Sequence, residues 1–204
     1  MTTGHILTRM KTTKDDKRAA ILDAGAALML RKGYHGTGIQ KIVDAAGVPK
    51  GSFYNYFKSK EDFALAAMEF TSHDHIEGFE TALTTGSPSP QQRIIDSYAD
   101  MAAVYEASRN YTTGCFVGNL CQELADTNAA VAEKAEYLFR IYTSALARCI
   151  RSAQDAGEVN READPDRLAE AIFNSWEGAI LRMKSSRNIQ PLNAFLDMLA
   201  VLLQ

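Results

Sequence analysis

The sequence predicts an all-α protein. Apolar residues recur at three- and four-residue intervals almost from end to end, and no stretch alternates for long enough to make a strand. Glycine and proline punctuate the periodic runs, and no internal repeat is visible. With 204 residues, 46% hydrophobic and 23% charged, the composition is that of an ordinary globular chain, which excludes disorder and collagen-like repeats. Three scattered cysteines cannot build a disulfide scaffold. No uncharged apolar run approaches the ~18 residues of a membrane span. The most apolar stretch, Ala194–Leu203, is short and interrupted by Asp197. Met1–Arg18 lacks the apolar segment of a secretory signal, so the expectation is a soluble, cytoplasmic protein without a membrane partner.

Each helix follows from a local signal. Residues 1–13 read as a flexible tail, within which Met10 is a second candidate start. From Lys17, Ala20, Ile21, Ala24, Ala27, Leu28 and Leu30 recur at helical spacing, and Gly33 ends the run after the basic pair Arg31–Lys32. A glycine-rich turn follows, in which Thr37 or Gly38 caps a short helix bearing Ile39, Ile42, Val43 and Ala46. Gly47 breaks it, and Pro49 opens a third short helix running to about Phe57. A fourth starts near Ser59, with Asp62 as the acidic member of a capping box, and fades by the loop Gly86–Pro90. Ser89 and Pro90 cap a fifth, Gln91 to about Ser108. Further helices are expected around Gly114–Leu124, over Asn128–Ala156 as a spine about 40 Å long, from Asp164-Pro165 to near Lys184, and from Pro191 onward.

Charge separates a head from a body. Residues 1–60 hold eleven Lys and Arg against four acids, a balance of +7, and the remainder carries −10. A basic head on an acidic body suits a head that meets a polyanion. Within it, two short helices separated by a glycine turn fit a helix-turn-helix over residues 14–60, leaving 61–204 as the body. Phe53 and Phe57, four apart, point inward against Ile42, Val43 and Leu28. Gly51, Ser52, Tyr54 and Asn55 then face outward, small or hydrogen-bonding groups suited to a major groove. Thr37, Tyr56, Lys58 and Lys60 would flank them on phosphates.

These residues carry a family resemblance. Gly33, Thr37, Ala46-Gly47-Val48, the run Pro49-Lys50-Gly51-Ser52-Phe53-Tyr54-Asn55-Tyr56-Phe57 and Ser59-Lys60-Glu61 resemble the DNA-binding signature of the TetR family of transcriptional repressors, over about residues 14–65. Gly38 departs from it, standing where many members have a second Thr. The resemblance implies an all-helical homodimer that binds a palindromic double-stranded DNA operator and releases it on binding a small-molecule effector. By match of position, Thr37, Lys50, Gly51, Tyr54, Tyr56 and Lys60 are the expected DNA contacts.

For the body, Leu168, Ala171, Ile172, Ser175, Trp176, Ala179, Ile180 and Met183 form one apolar stripe, and Leu192, Phe195, Leu196, Leu199 and Leu203 another. Periodicity allows them to be a dimer seam or intrachain core; the resemblance favours the seam. The aromatics Phe79, Tyr98, Tyr105, Phe116, Tyr137, Phe139, Tyr142, Phe173 and Trp176, with Met101, are available to line an effector pocket. Cys115 lies near a helix start, where the dipole favours thiolate. The stretch Thr112–Leu120, with Trp176-Glu177-Gly178-Ala179 and Lys184, resembles a TetR branch that responds to electrophiles or oxidants through a Cys after that Gly. On that resemblance Cys115 is the sensing thiol and Lys184 an amine that stabilises its thiolate, with Tyr105 and Trp176 beside them; the other reading is an inert, buried Cys. A Cys115–Cys121 disulfide is not expected if both sit on one helix, where six residues rise ~9 Å against a ~7 Å Cα limit. The four histidines have no metal-binding spacing, and neither cofactor nor metal is expected. An enzyme with a basic head is the reading from another class. It lacks support: there is no phosphate-binding glycine loop, nucleophile elbow or framed carboxylate pair. A same-fold activator is the remaining alternative to a repressor.

Overall fold

The structure, a computed structural model, describes residues 14–204, so the expected tail and the candidate start at Met10 lie outside it. Nine helices and no strand occur among the described residues: α1 (Lys14–Lys32), α2 (Ile39–Ala45), α3 (Lys50–Tyr54), α4 (Lys60–Thr85), α5 (Pro90–Ser108), α6 (Phe116–Leu124), α7 (Ala129–Asp155), α8 (Pro165–Ser186) and α9 (Gln190–Leu202). The starts follow local capping chemistry. Ser59, Ser89, Asn128 and Asp164 each accept a hydrogen bond from a backbone N–H of the helix they open. At α4 the exchange is close to reciprocal, because Asp62 returns a carboxylate to the Lys58 N–H at 2.8 Å. Gly33 ends α1 with φ +73°, and Gly157 follows α7 with φ +76°, left-handed conformations that favour glycine.

Two apolar cores are stacked along the molecule. The first gathers α1, α2, α3, the start of α4, α6 and the first half of α7; it does not stop at residue 60. The second joins the end of α4, α5, the second half of α7, α8 and α9. The long helix α7 runs through both, and Cys115, at the head of α6, packs against each of them.

Several expected faces are displaced. On α1 the buried positions are Ile21, Leu22, Gly25, Ala26 and Met29. Leu28, expected beneath Phe53, is only half-buried, and Met29 takes the core place. Regular α3 closes at Tyr54, although the N–H groups of Tyr56 and Phe57 still donate to the Phe53 carbonyl. Ile172, Trp176, Ile180 and Met183 of α8 pack with Leu192, Phe195 and Leu199 of α9 inside one chain. The buried members of those stripes are therefore intrachain core, whereas Ala171 is exposed and Leu168, Ser175 and Leu196 are half-buried. What α8 and α9 leave outward is a different apolar set: Leu181, Met198, Val201 and Leu202.

Candidate nucleic-acid interface and effector cleft

At the head, the aromatic pair does what its spacing predicts. Phe53 and Phe57 are buried and join Phe63 of α4 in a cluster with ring centroids 5.1–5.7 Å apart. This turns the opposite side of α3 to solvent: Lys50, Gly51, Tyr54 and Asn55 are exposed and Ser52 and Tyr56 half-buried. Gly51 has open space where a Cβ would stand, so packing within the chain does not require glycine there. Lys14 and Lys17 of α1 line a polar cleft together with Asn55 and Tyr56. These two lysines entered the sequence reading only as part of a charge total; their place beside α3 depends on the angle at which α1 crosses it.

Two expected phosphate contacts lie elsewhere. Thr37 is fully buried, and its hydroxyl donates to the Gly33 carbonyl at 2.8 Å, which locks the α1–α2 turn. In this arrangement it presents no group to a phosphate. Lys60 is half-buried; its ammonium donates to the Tyr34 carbonyl at 2.8 Å and sits 4.0 Å from the centre of the Tyr34 ring. Burial pulls its pKa below the usual lysine value, against the attraction of Glu123.

Glu123 reveals why Lys60 turns inward. From the last turn of α6 its carboxylate accepts the N–H of Tyr34 at 3.0 Å and of His35 at 3.2 Å. A Cβ on Gly33 would stand 2.6 Å from Glu123 Oε1. The turn that leads into the helix-turn-helix is thus clasped by a body helix, through residues nearly ninety positions apart that no local pattern connects.

The other end of α6 is Cys115. It is the N-cap, with Sγ accepting the Gly118 N–H at 3.3 Å. A shallow cleft beside it is lined by Gly114, Cys115, Gly118, Asn119, Gln122, Glu177, Ile180, Leu181 and Lys184. The thiolate that a helix start favours is opposed by its surroundings here. Burial, then the Glu177 carboxylate, hold the thiol far above its ordinary range, outweighing the Gly118 and Val117 N–H groups that pull it down. Lys184 is in the cleft but gives its ammonium to Asn119 Oδ1 at 2.7 Å, while Glu177 Oε2 and the sulfur both flank Gly118, 3.0 and 3.6 Å from where its Cβ would stand. Burial raises Glu177 in turn, partly offset by the thiol.

Tyr105 is packed near Cys115 and Glu177, whose charges add to the burial that raises its phenol pKa. Trp176 is not in the cleft wall; it is buried between Tyr98 and Phe195, 5.2 Å from each ring. Tyr137, another expected lining residue, is 50% exposed. The three cysteines are all free, and Cys149 is core packing whose thiol donates to the Leu83 and Pro90 carbonyls.

Comparison with known proteins gives the same outline. Residues 21–67 match the family of bacterial regulatory proteins named for TetR, and residues 90–199 match the tetracyclin repressor-like C-terminal domain. The transcriptional repressor DhaR of a Mycobacterium strain is 34% identical over 88% of this chain and 88% of its own. The transcriptional regulator AcuR of Cereibacter sphaeroides is 38% identical over 86% of this chain and 80% of its own. The crystal structure of Escherichia coli NemR in its reduced form superposes with a TM-score of 0.83 at 26% identity, covering 93% of this chain and 98% of that one.

Proposed function

The chain belongs to the TetR family of bacterial transcriptional regulators, and on that premise we propose that it is a homodimeric repressor released from a palindromic operator by a small electrophile or oxidant acting at Cys115. Tyr54, Asn55, Ser52 and Gly51 face the base edges in this reading, and Lys50, Tyr56, Lys14 and Lys17 sit along the phosphates. Two recognition helices must stand about 34 Å apart, one turn of DNA, so a second copy is required. The outward apolar set Leu181, Met198, Val201 and Leu202, with open space over Gly178, is the surface on which the copies would meet.

The single observation that carries the regulatory part is the placement of α6. Its N-cap is Cys115 in the cleft and its last turn holds Glu123 against the α1–α2 turn, about 12 Å away along one helix. A ligand that moves the N-cap moves the clasp. Effector binding and operator binding are then coupled by their different affinities for two positions of α6. The solved relative described in a reduced form supports a thiol as the responsive group.

The deciding experiment is a footprint of the purified protein on the DNA upstream of its own gene, repeated with quinone or aldehyde and with reductant. Protection of a palindrome, lost on electrophile treatment of the wild type and retained by Cys115→Ser, is the expected result. Normal release of the Cys115→Ser protein would show that the cleft takes a non-covalent ligand and that Cys115 is packing. A reporter assay separates repression from activation.

A further inference from the structure

Upstream of Lys14 the chain is cationic: residues 1–13 hold Arg9, Lys11 and His5 and no Asp or Glu. Where that segment joins the fold is fixed by α1. Lys14, the first residue of α1, lines the polar cleft with Lys17, Asn55 and Tyr56, just beyond the last residue of α3. Arg18 stands over the Phe57 ring, 5.5 Å from its centre. Lys14, Lys17 and Arg18 share about 100° of the helix circumference, and Asp15 and Asp16 stand more than about 100° from the middle of that arc. The cations at the start of α1 are therefore gathered on the side that meets α3. The chain enters α1 there, beside the surface that exposes Tyr54 and Asn55.

A helix lying in the major groove has phosphates along its flanks, and one strand of phosphates further on lies the minor groove. Helix-turn-helix proteins can fill that groove with the segment that precedes their first helix. Reach permits it here. Arg9 is five residues before Lys14, at most ~17 Å of extended chain, against a groove ~6 Å wide and ~7.5 Å deep. Lys11, three residues before Lys14, spans ~10 Å, enough for the intervening phosphates. A guanidinium is more weakly hydrated than an ammonium and gives up its water at lower cost, so Arg9 rather than Lys11 suits the confined groove. With no acid in residues 1–13, nothing along the segment opposes its attraction to DNA.

We propose that the segment before Lys14 is a second DNA-reading element, an arm whose Lys11 meets the phosphates beside α3 and whose Arg9 lies in the adjoining minor groove. This rests on the reading of the chain as an operator-binding protein and adds a specificity to it. The arm favours A·T pairs next to each half-site, because a narrow A·T minor groove concentrates negative potential and lacks the guanine amino group on its floor. The α3 helix reads donors and acceptors in the major groove; the arm reads the width and floor of the minor one.

The test uses the full-length protein and duplexes built on the palindrome that it protects upstream of its own gene, with the pairs adjoining each half-site set to A·T, G·C or inosine·C. Inosine lacks the amino group of guanine, so inosine·C keeps the major-groove edge of G·C and has a minor-groove floor like that of A·T. Wild-type affinity, read by fluorescence anisotropy, is expected to be about fivefold or more higher on A·T and inosine·C than on G·C. Arg9→Ala should bind all three alike, near the wild-type value for G·C. Lys11→Ala should weaken all three equally and lower the slope of log affinity against log salt by about 0.9 for each copy of the chain. Wild-type binding that ranks inosine·C with G·C puts the readout in the major groove and overturns the proposal, as does equal binding to all three; neither result needs a variant. An Arg9→Ala protein that keeps the wild-type preference overturns it too. If the wild type protects no DNA, the operator reading itself has failed and the arm with it, a result distinct from each of these.

Discussion

Replacing Glu123 by Ala tests whether the body holds the head. The side chain supplies two acceptors, to Tyr34 N–H at 3.0 Å and His35 N–H at 3.2 Å. Hydrogen bonds to a charged acceptor contribute ~1.5–3 kcal/mol when water cannot replace them. The His35 contact is exposed and water will substitute for it, so its loss costs little. The Tyr34 contact is half-buried, which leaves roughly 1–2 kcal/mol for the clasp as a whole. That corresponds to a roughly five- to thirtyfold rise in local opening of the α1–α2 turn. Amide hydrogen exchange read by NMR is the direct assay: protection at Tyr34 and His35 should fall by that factor, while amides in the middle of α7 should not change. The change in operator affinity produced by effector should shrink in the same variant, because α6 no longer reaches the head. Unchanged protection at Tyr34 would refute the clasp. Lost protection with full effector response would refute its role in coupling.

Three further outcomes follow from the same geometry. Tyr54→Ala removes a side chain that is 53% exposed, so the fold should be as stable as the wild type while operator binding falls much more than binding to random DNA; equal losses would argue against base readout. Lys17→Ala should lower the slope of log affinity against log salt by about 0.9, one phosphate's worth, whereas Lys60→Ala should change the slope by less, since its ammonium is held by Tyr34. Burial pushes the Cys149 thiol up to about 11 from an unfolded value near 9.0. A raised pKa contributes stability that is complete below the unfolded value and lost as pH rises toward the folded one, so urea stability should decline between about pH 9 and 11, at up to ~1.4 kcal/mol per unit from this group. Cys149→Ala should flatten that decline.

What the sequence made legible was whatever depends on neighbours within a turn or two. Ser59, Ser89, Asn128 and Asp164 were readable as caps because the cap and the N–H groups it accepts lie within three residues. The outward face of α3 was readable because Phe53 and Phe57 fix its inward face. Even locally, periodicity misplaced Leu28 against Met29, since Ile21, Leu22, Ala26 and Met29 form an equally regular stripe one position away. The stripes on α8 and α9 were found correctly as apolar, but periodicity says that a face is buried and not by which chain. Their mutual packing leaves Leu181, Met198, Val201 and Leu202 outward, the last three at i, i+3 and i+4 on a second face of α9 that the more strongly apolar stripe beside it masked.

The residues that determine how the two ends communicate had no such signal. Thr37 in a glycine turn looks like a phosphate ligand until the turn closes and its hydroxyl finds Gly33. Lys60 looks like a free surface cation until Tyr34, twenty-six residues earlier, offers it a carbonyl and a ring. Glu123 and Glu177 are ordinary helix carboxylates in sequence; one becomes a clasp and the other comes beside Cys115 in a cleft because α6 packs against both cores. The sign of the Cys115 shift shows what is at stake. A helix N-terminus alone argues for a thiolate, and the Gly118 and Val117 N–H groups do pull in that direction. Burial and one carboxylate from a helix some sixty residues downstream reverse the outcome.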